Sequence, residues 1–228
     1  VLAMSDDRVG VCIADVSGRG VVAALHLSLL KYAVHAAAQV HAQPGEIAAQ
    51  ANRILYPHFA TLEFELFVGM FFAVLDLRTG QLTYVNAGHV PPFILRGSGE
   101  VRELRTGGLV LGVDTLAPYR EQAARLEPGD ALIVCTDGIN GAVNPAGEEL
   151  TAEDLAREVA DMREASAEEI AERLVQRGRA FAGGVVEDDA TALVMKRRPV
   201  DALEEPGTGP MEPRTDSTGP VHGDGEAR

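Results

Sequence analysis

Acidic residues stand at the ends of three apolar segments, where a carboxylate could serve as a metal ligand. Asp15 ends the segment VGVCIAD, and Asp137 ends the segment DALIVCTD. The pair Asp188 and Asp189 begins the third segment, DDATALVM. Continuous apolar runs of this length are typical of strands that are buried on both faces. The sequence therefore predicts that each carboxylate lies at a strand end, on the edge of a sheet.

These strand-end acids could converge on one divalent metal centre. Carboxylate and backbone carbonyl oxygens are the ligands that magnesium and manganese prefer. Carboxylates about 5 Å apart would repel each other by roughly 3 kcal/mol per pair at an effective dielectric of about 20, and a cation would remove that repulsion. For Asp15 alone, a turn or helix N-cap role is the alternative, because Ser17, Gly18 and Gly20 permit a tight turn into a helix.

Four motifs carry a family resemblance, and in chain order they are ADVSGRG (14–20), NAGHVPP (86–92), TDGIN (136–140) and DDATALV (188–194). At these separations they resemble the PPM family of metal-dependent protein serine/threonine phosphatases, and in particular its bacterial SpoIIE/RsbU branch. The resemblance implies hydrolysis of phosphoserine or phosphothreonine on a regulatory protein such as an anti-sigma-factor antagonist. It also implies that the nucleophile is a metal-bridging water.

The resemblance further implies a centre of two Mn²⁺ or Mg²⁺ ions. Asp15 would bridge the ions, with the backbone carbonyl of Val16 as a further ligand. Asp137 and Asp188 would together hold one ion of the pair, and Asp189 is a weaker candidate because relatives vary there. Two cations about 3.5–4 Å apart lower the pKa of a bridging water and stabilise the phosphoryl group during in-line attack. Asp15, Asp137 and Asp188 are therefore the candidate catalytic residues.

Two other polar residues lie within the motifs. Arg19 could present its guanidinium group to phosphoryl oxygens, and the alternative is a solvent-exposed position beside a helix start. His89 follows a predicted strand and could act as a catalytic acid. The favoured interpretation is that Asn86 and His89 stabilise the turn by hydrogen bonds. In the family, this motif borders the active site without supplying a metal ligand.

The sequence departs from the family pattern at two places. No counterpart of the family's upstream Gly-Gly-Asp segment, which supplies another metal-binding carboxylate, precedes Val1. We therefore expect an N-terminally truncated domain in which one metal site is incomplete. Gly141 stands where an acid usually follows the Thr-Asp-Gly motif.

Two alternative functions remain. The first is a phosphatase-like module that binds a phosphoprotein but is catalytically weak or inactive. It is considered because this sequence lacks a counterpart of the upstream Gly-Gly-Asp segment. A GHKL-type ATP-binding protein is the second, because residues 15–20 loosely resemble an Asp-x-Gly-x-Gly box. The second alternative leaves the motifs around Asp137 and Asp188 unexplained.

Composition predicts one globular domain followed by a tail. The chain has 228 residues, of which 46% are hydrophobic and 24% charged, as is ordinary for a globular protein. Residues 1–198 are expected to form the phosphatase-type domain. Residues 199–228 are rich in Pro and Gly and poor in large apolar side chains, so we expect this tail to be disordered.

Net charge indicates which classes of partner the chain can bind, and cysteine usage indicates the cellular compartment. The formal net charge is −14, which disfavours nucleic-acid binding because that needs a basic surface. Cys12 and Cys135 lie in apolar strands and are expected to be reduced core residues of a cytoplasmic protein. No apolar run is long enough to span a bilayer without interruption, so no membrane contact is expected from this segment. The oligomeric state stays open.

Hydrophobic periodicity predicts the helices. Residues 22–40 are expected to form a helix with His26 and His35 on its surface, and its buried stripe would be Val22, Leu25, Leu29, Tyr32, Ala36 and Val40. Pro44 would begin a second helix that buries Ile47, Ala51, Ile54 and Leu55. Thr151 and a Ser166–Glu169 capping box would begin two more helices, at 152–162 and 166–181.

Strands in hairpins and helices in clusters favour an α+β fold with antiparallel sheets. Strands are predicted at 9–14, 67–77, 81–86, 92–95, 101–104, 119–126 and 130–135, and one more follows the Asp188–Asp189 pair. The family resemblance supplies the full architecture, an α-β-β-α sandwich of two mostly antiparallel sheets flanked by helix pairs.

Overall fold

A computed structural model describes residues 1–18, 20–62, 66–105, 107–184 and 189–198. Its strands are β1 (Leu2–Ser5), β2 (Arg8–Val16), β3 (Val68–Asp76), β4 (Gln81–Ala87), β5 (Phe93–Leu95), β6 (Val101–Glu103), β7 (Gln122–Arg125), β8 (Ala131–Cys135) and β9 (Ala192–Lys196). Its helices are α1 (Gly20–Ala38), α2 (Pro44–Phe59), α3 (Ala152–Ala160) and α4 (Ala167–Phe181). The predicted tail at 199–228 lies outside the described residues.

The strands form two antiparallel sheets, in the orders β1-β2-β3-β4-β7 and β6-β5-β8-β9. Helices α1 and α2 cover the outer face of the first sheet, and α3 and α4 cover the outer face of the second. The predicted α-β-β-α sandwich is confirmed. Each predicted strand is present, although β7 is shorter than its sequence pattern predicts.

Three hydrophobic layers hold the sandwich together, one under each helix pair and one between the sheets. Side chains alternate between the faces of each strand. On β3, Phe71 and Ala73 enter the middle layer, whereas Met70 and Phe72 face α1 and α2. Full burial of a side chain such as Phe71 stabilises the fold by about 1.5–3 kcal/mol. The alternation therefore fixes which residues can reach the space between the sheets.

Helix α1 buries a different face from the one that its periodicity predicts. Its buried residues are His26, Leu30, Ala33, Val34 and Ala37. Leu25 and Tyr32 of the predicted stripe are 64% and 73% exposed. The predicted stripe was therefore wrong, as was the surface position of His26.

The near-uniform apolar character of α1 explains this error, because spacings of three and four residues then describe more than one stripe. Ala33 and Ala37 share a core layer with Ala48 and Ala51 of α2, so the face with small side chains packs against the helix partner. His26 is accommodated because its Nδ1 lies 2.6 Å from the Val22 carbonyl oxygen of its own helix.

The other helices follow their predictions more closely. In α2, Ile47, Ala51 and Leu55 are buried, but Ile54 is exposed and Asn52 is buried in its place. The Asn52 side chain accepts from the Gly112 N–H at 2.7 Å and donates to the Asp114 carbonyl at 2.8 Å, which anchors a loop. Both α3 and α4 begin with a capping box, at Thr151–Asp154 and at Ser166–Glu169.

By length and composition alone, α1 could cross a membrane, with a mean hydropathy of 1.5. Core helices of soluble proteins meet the same criterion, so this composition decides nothing by itself. The expectation based on uninterrupted apolar runs missed α1 because polar residues such as Ser28 and Lys31 interrupt it.

Both cysteines are shielded thiols, although only Cys135 is as fully buried as predicted. Cys135 is buried and Cys12 is half-buried. Burial raises the pKa of each thiol to about 12. Thiolate is the reactive form, so neither residue is suited to nucleophilic chemistry at neutral pH.

The corrected face of α1 can be tested with two neighbouring alanines. Ala37 is buried and Ala36 is exposed. Ala37→Leu is expected to lower the free energy of unfolding by about 1–3 kcal/mol because it overpacks the contact with α2. Ala36→Leu should change it by less than about 0.5 kcal/mol. Urea denaturation measures both, and a larger loss for Ala36→Leu would restore the originally predicted stripe.

Candidate active site

The end of β2 delivers Asp15 to the space between the sheets. Along β2, Ile13 packs in the middle layer, and Asp15 lies two residues further on, so it shares that face. Antiparallel pairing with β3 sets Asp15 opposite Gly69. The side chain is half-buried, which lets the carboxylate reach an opening at the edge of the sandwich.

The end of β8 delivers Asp137 from the second sheet. Val134 packs in the middle layer, and Thr136 is the next residue on the same face. A turn then begins, because the N–H groups of Ile139 and Asn140 donate to the Thr136 carbonyl at 3.0 and 3.1 Å. Asp137 occupies this turn and is exposed.

The two carboxylates line one cavity of about 540 Å³ at the edge of both sheets. The cavity is lined by Asp15, Val16, Ser17, Gly18, Phe67, Gly69, Gly88, His89, Val90, Val110 and Asp137. Three of the five predicted metal-site residues, Asp15, Val16 and Asp137, therefore come together. Asp188 and Arg19 lie outside the described residues.

The described donors suit a hard cation, since two carboxylates and the backbone at Val16 offer oxygen ligands. Within ranges 1–18, 20–62, 66–105, 107–184 and 189–198, there is no group of three or more His, Cys, Asp or Glu residues that could hold a metal ion. The described part of the site thus supplies a two-carboxylate portion of the predicted centre. Asp189 is exposed and is not among the cavity-lining residues.

Thr136 is a positioning residue that the sequence did not single out. Its side chain is buried, and its Oγ1 donates to the Asp189 carbonyl at 2.5 Å and accepts from the Thr191 N–H at 2.9 Å. The Thr136 N–H also donates to the Thr191 carbonyl at 3.0 Å. These bonds hold the segment that leads into β9 beside the turn of Asp137. The hydroxyl directly before the acid in TDGIN was the available sequence signal.

Ser17 fixes the loop that leaves β2. Its N–H donates to the Phe67 carbonyl at 2.9 Å, and its Oγ accepts from the Phe67 N–H at 2.9 Å. These two hydrogen bonds join the residues after Asp15 to the start of β3. Ser17 is therefore held at a defined position next to the cavity.

Asn86 shapes the turn that carries His89, as predicted. Its Oδ1 accepts from the His89 N–H at 2.8 Å, and its Nδ2 donates to the His89 carbonyl at 2.9 Å. Gly88 has φ +73, and a Cβ there would lie 2.3 Å from a methyl carbon of Val110, so the turn requires glycine. His89 is thereby held in the cavity wall.

The electrostatic environment of His89 favours its neutral form. Burial lowers the pKa of the imidazole, whereas a hydrogen bond with the Val90 carbonyl and the negative charge of Asp137 act in the opposite direction. Loss of solvation is the largest of these effects. A ring that is neutral at pH 7 is a hydrogen-bond acceptor at one nitrogen, which does not suit the catalytic-acid alternative.

Comparison with known proteins gives this geometry a context. A family model described as Stage II sporulation protein E (SpoIIE) matches residues 5–198. The phosphoserine phosphatase RsbU of Bacillus subtilis (strain 168) is 28% identical over 193 residues, which are 84% of this chain and 56% of RsbU. The chain therefore spans about half the length of RsbU. The match leaves the ATP-binding alternative without support.

Solved structures share the fold. The RsbU and RsbW domains of Rv1364c from Mycobacterium tuberculosis give a TM-score of 0.73 at 24% identity, covering 86% of this chain and 53% of that one. The PP2C phosphatase domain of SpoIIE from Bacillus subtilis was solved with a fragment of its regulatory domain. It gives a TM-score of 0.73 at 22% identity and covers 85% of this chain and 56% of that one. At these identities the likeness shows the fold alone.

The tether formed by Thr136 can be tested by removing its hydroxyl. Thr136→Val keeps the shape of the side chain but removes two part-buried hydrogen bonds, to the Asp189 carbonyl and from the Thr191 N–H, which should cost about 1–3 kcal/mol of unfolding free energy. It should also weaken Mn²⁺ binding about tenfold or more, because the segment at 189–191 loses its support.

Thr136→Ser is the matched control, since it retains the hydroxyl and should behave like the wild type in both measurements. Urea denaturation reports the stability and calorimetric titration with Mn²⁺ reports the affinity. Unchanged Mn²⁺ affinity in Thr136→Val would show that the tether does not position the site.

Proposed function

The chain belongs to the SpoIIE family of PP2C-type serine/threonine phosphatases, and from this premise we propose that it hydrolyses phosphoserine or phosphothreonine on a protein. The observation that carries the proposal is the cavity at the edge of the two sheets. Asp15 reaches it from one sheet and Asp137 from the other. Two acids from separate sheets in one open cavity supply oxygen ligands for divalent cations, which would in turn bind the phosphate ester.

The family is metal-dependent, and we propose Mn²⁺ or Mg²⁺ as the cofactor, with two ions in the centre. Asp15, the Val16 carbonyl and Asp137 would hold the ions together with Asp188, and Asp189 is the weaker candidate. When bound, such ions make water nucleophilic and stabilise negative charge on the phosphoryl group.

The residues of the chain have three tasks in this reaction. The carboxylates of Asp15 and Asp137 are held in place by β2 and by the turn after β8. Ser17 and Thr136 fix the loops on either side through the hydrogen bonds to Phe67 and to the segment at 189–191. The half-open cavity admits a side chain that carries phosphate while its walls shield part of the reacting group from solvent.

Hydrolysis transfers the phosphoryl group to water. A bond forms between the water oxygen and phosphorus, and the bond from phosphorus to the seryl or threonyl oxygen breaks. One proton from the water ends on that oxygen, so the products are inorganic phosphate and the free hydroxyl group. No side-chain nucleophile is needed, in accordance with the high pKa of both cysteines.

We assign the substrate to a small phosphorylated regulatory protein, namely an anti-sigma-factor antagonist in the cytoplasm. The support is the relative named phosphoserine phosphatase RsbU and a fold neighbour that joins RsbU and RsbW domains. The net charge of −14 also favours a protein partner over nucleic acid.

Substituting the acids tests the proposal. Asp15→Asn, Asp137→Asn and Asp188→Asn should each lower turnover of p-nitrophenyl phosphate and of a phosphoserine peptide by about 100-fold or more, because each removes an anionic metal ligand. Asp161→Asn, at the exposed C-cap of α3, is the control and should leave turnover unchanged. Chelation with EDTA should abolish the wild-type activity, and Mn²⁺ should restore it.

Circular dichroism shows whether each variant keeps its fold. Near-normal turnover by one of the three variants would remove that residue from the site. Phosphopeptide binding without release of phosphate, with Mn²⁺ present, would show instead that the chain is a phosphatase-like binding module.

A further inference from the structure

His89 carries a buried ring nitrogen for which the described residues supply no partner. The side chain is 7% exposed, and its Nε2 makes no hydrogen bond to any described residue. Buried polar atoms in proteins nearly always have a partner. His89 is one of the residues that line the cavity beside Asp15 and Asp137. A molecule that binds in that cavity can supply the partner that Nε2 lacks among the described residues.

The other ring nitrogen determines what kind of partner this can be. Nδ1 lies 2.8 Å from the Val90 carbonyl oxygen, and a carbonyl oxygen can only accept a hydrogen bond. Nδ1 therefore carries the hydrogen. In the neutral ring, Nε2 then has a lone pair and acts as an acceptor.

The chemistry of the cavity limits the partner further. Ionised Asp15 and Asp137 are acceptors, as are the oxygens of a phosphate dianion, so none of these groups can donate to Nε2 of His89. The proposed metal centre takes its ligands from Asp15, Val16, Asp137 and Asp188 and does not include His89. Water is a suitable partner, since it donates two hydrogen bonds and can join Nε2 to a carboxylate.

We propose that Nε2 of His89 accepts a hydrogen bond from the water that attacks phosphorus, and so orients the oxygen of that water toward the phosphoryl group. This proposal rests on the phosphatase function proposed above. The water oxygen bonds to phosphorus, the bond between phosphorus and the seryl oxygen breaks, and one water proton ends on the seryl oxygen. His89 acts on the nucleophile and not on the phosphate group, so it should contribute to kcat and not to KM.

Two substitutions separate the roles of the ring nitrogens. Asn at position 89 can place its amide N–H near the position of Nδ1 and keep the bond to Val90, but it does not reach the position of Nε2. Gln is longer and can place an acceptor there. The turn itself should persist in both variants, because Asn86 bonds to the backbone of His89 and not to its side chain.

Kinetics with Mn²⁺ and a phosphoserine peptide give the first test. His89→Asn should lower kcat about tenfold or more with KM within about twofold of the wild type, and His89→Gln should recover a large part of kcat. Turnover of His89→Asn within twofold of the wild type would overturn the proposal. A raised KM with unchanged kcat would also overturn it, because His89 would then contact the phosphate group. An inactive wild type would instead refute the proposed phosphatase function on which it depends.

A second readout does not use activity. Long-range ¹H–¹⁵N NMR of the metal-free chain distinguishes the two imidazole tautomers. The structure requires hydrogen on Nδ1 and a lone pair on Nε2 of His89. Hydrogen on Nε2 would overturn the assignment of this atom as an acceptor, whatever the kinetics show.

Discussion

The alternation of side chains along β2 and β8 is the constraint on which the site depends. Ile13 and Val134 are buried between the sheets, so Asp15 and Thr136, two residues further along, lie on the same faces. A shift of one residue in the pairing of β2 with β3 would turn Asp15 toward α1 and α2. The nine paired positions between these strands, together with the apolar residues on both faces, make such a shift costly.

Hydrogen bonds between distant segments then refine the positions that the strands establish. Ser17 joins the loop after β2 to β3, and Thr136 joins the turn after β8 to the residues before β9. Asn86 fixes the backbone on both sides of His89. Each polar contact lies beside the cavity, so the apolar layers supply stability and these few bonds supply the geometry of the site.

Sequence reasoning succeeded where one pattern had one physical solution. Continuous apolar runs ending on Asp15 and Asp137 indicated buried strands with an acid at the edge, and Ser166 followed by Glu169 is a strong helix-start signal. It failed for α1, whose apolar residues surround the helix, so periodicity could not choose the face with Ala33 and Ala37. It also could not find the Thr136 tether, because residues more than 50 positions apart meet only when β8 and β9 pair.

The most direct test of the central claim is a crystal structure of this chain grown with Mn²⁺ and recorded at a wavelength where manganese scatters anomalously. We predict an anomalous peak in the cavity at the edge of the two sheets, with carboxylate oxygens of Asp15 and Asp137 as ligands. A fully occupied manganese ion bound elsewhere, with no peak beside these two residues, would contradict the account.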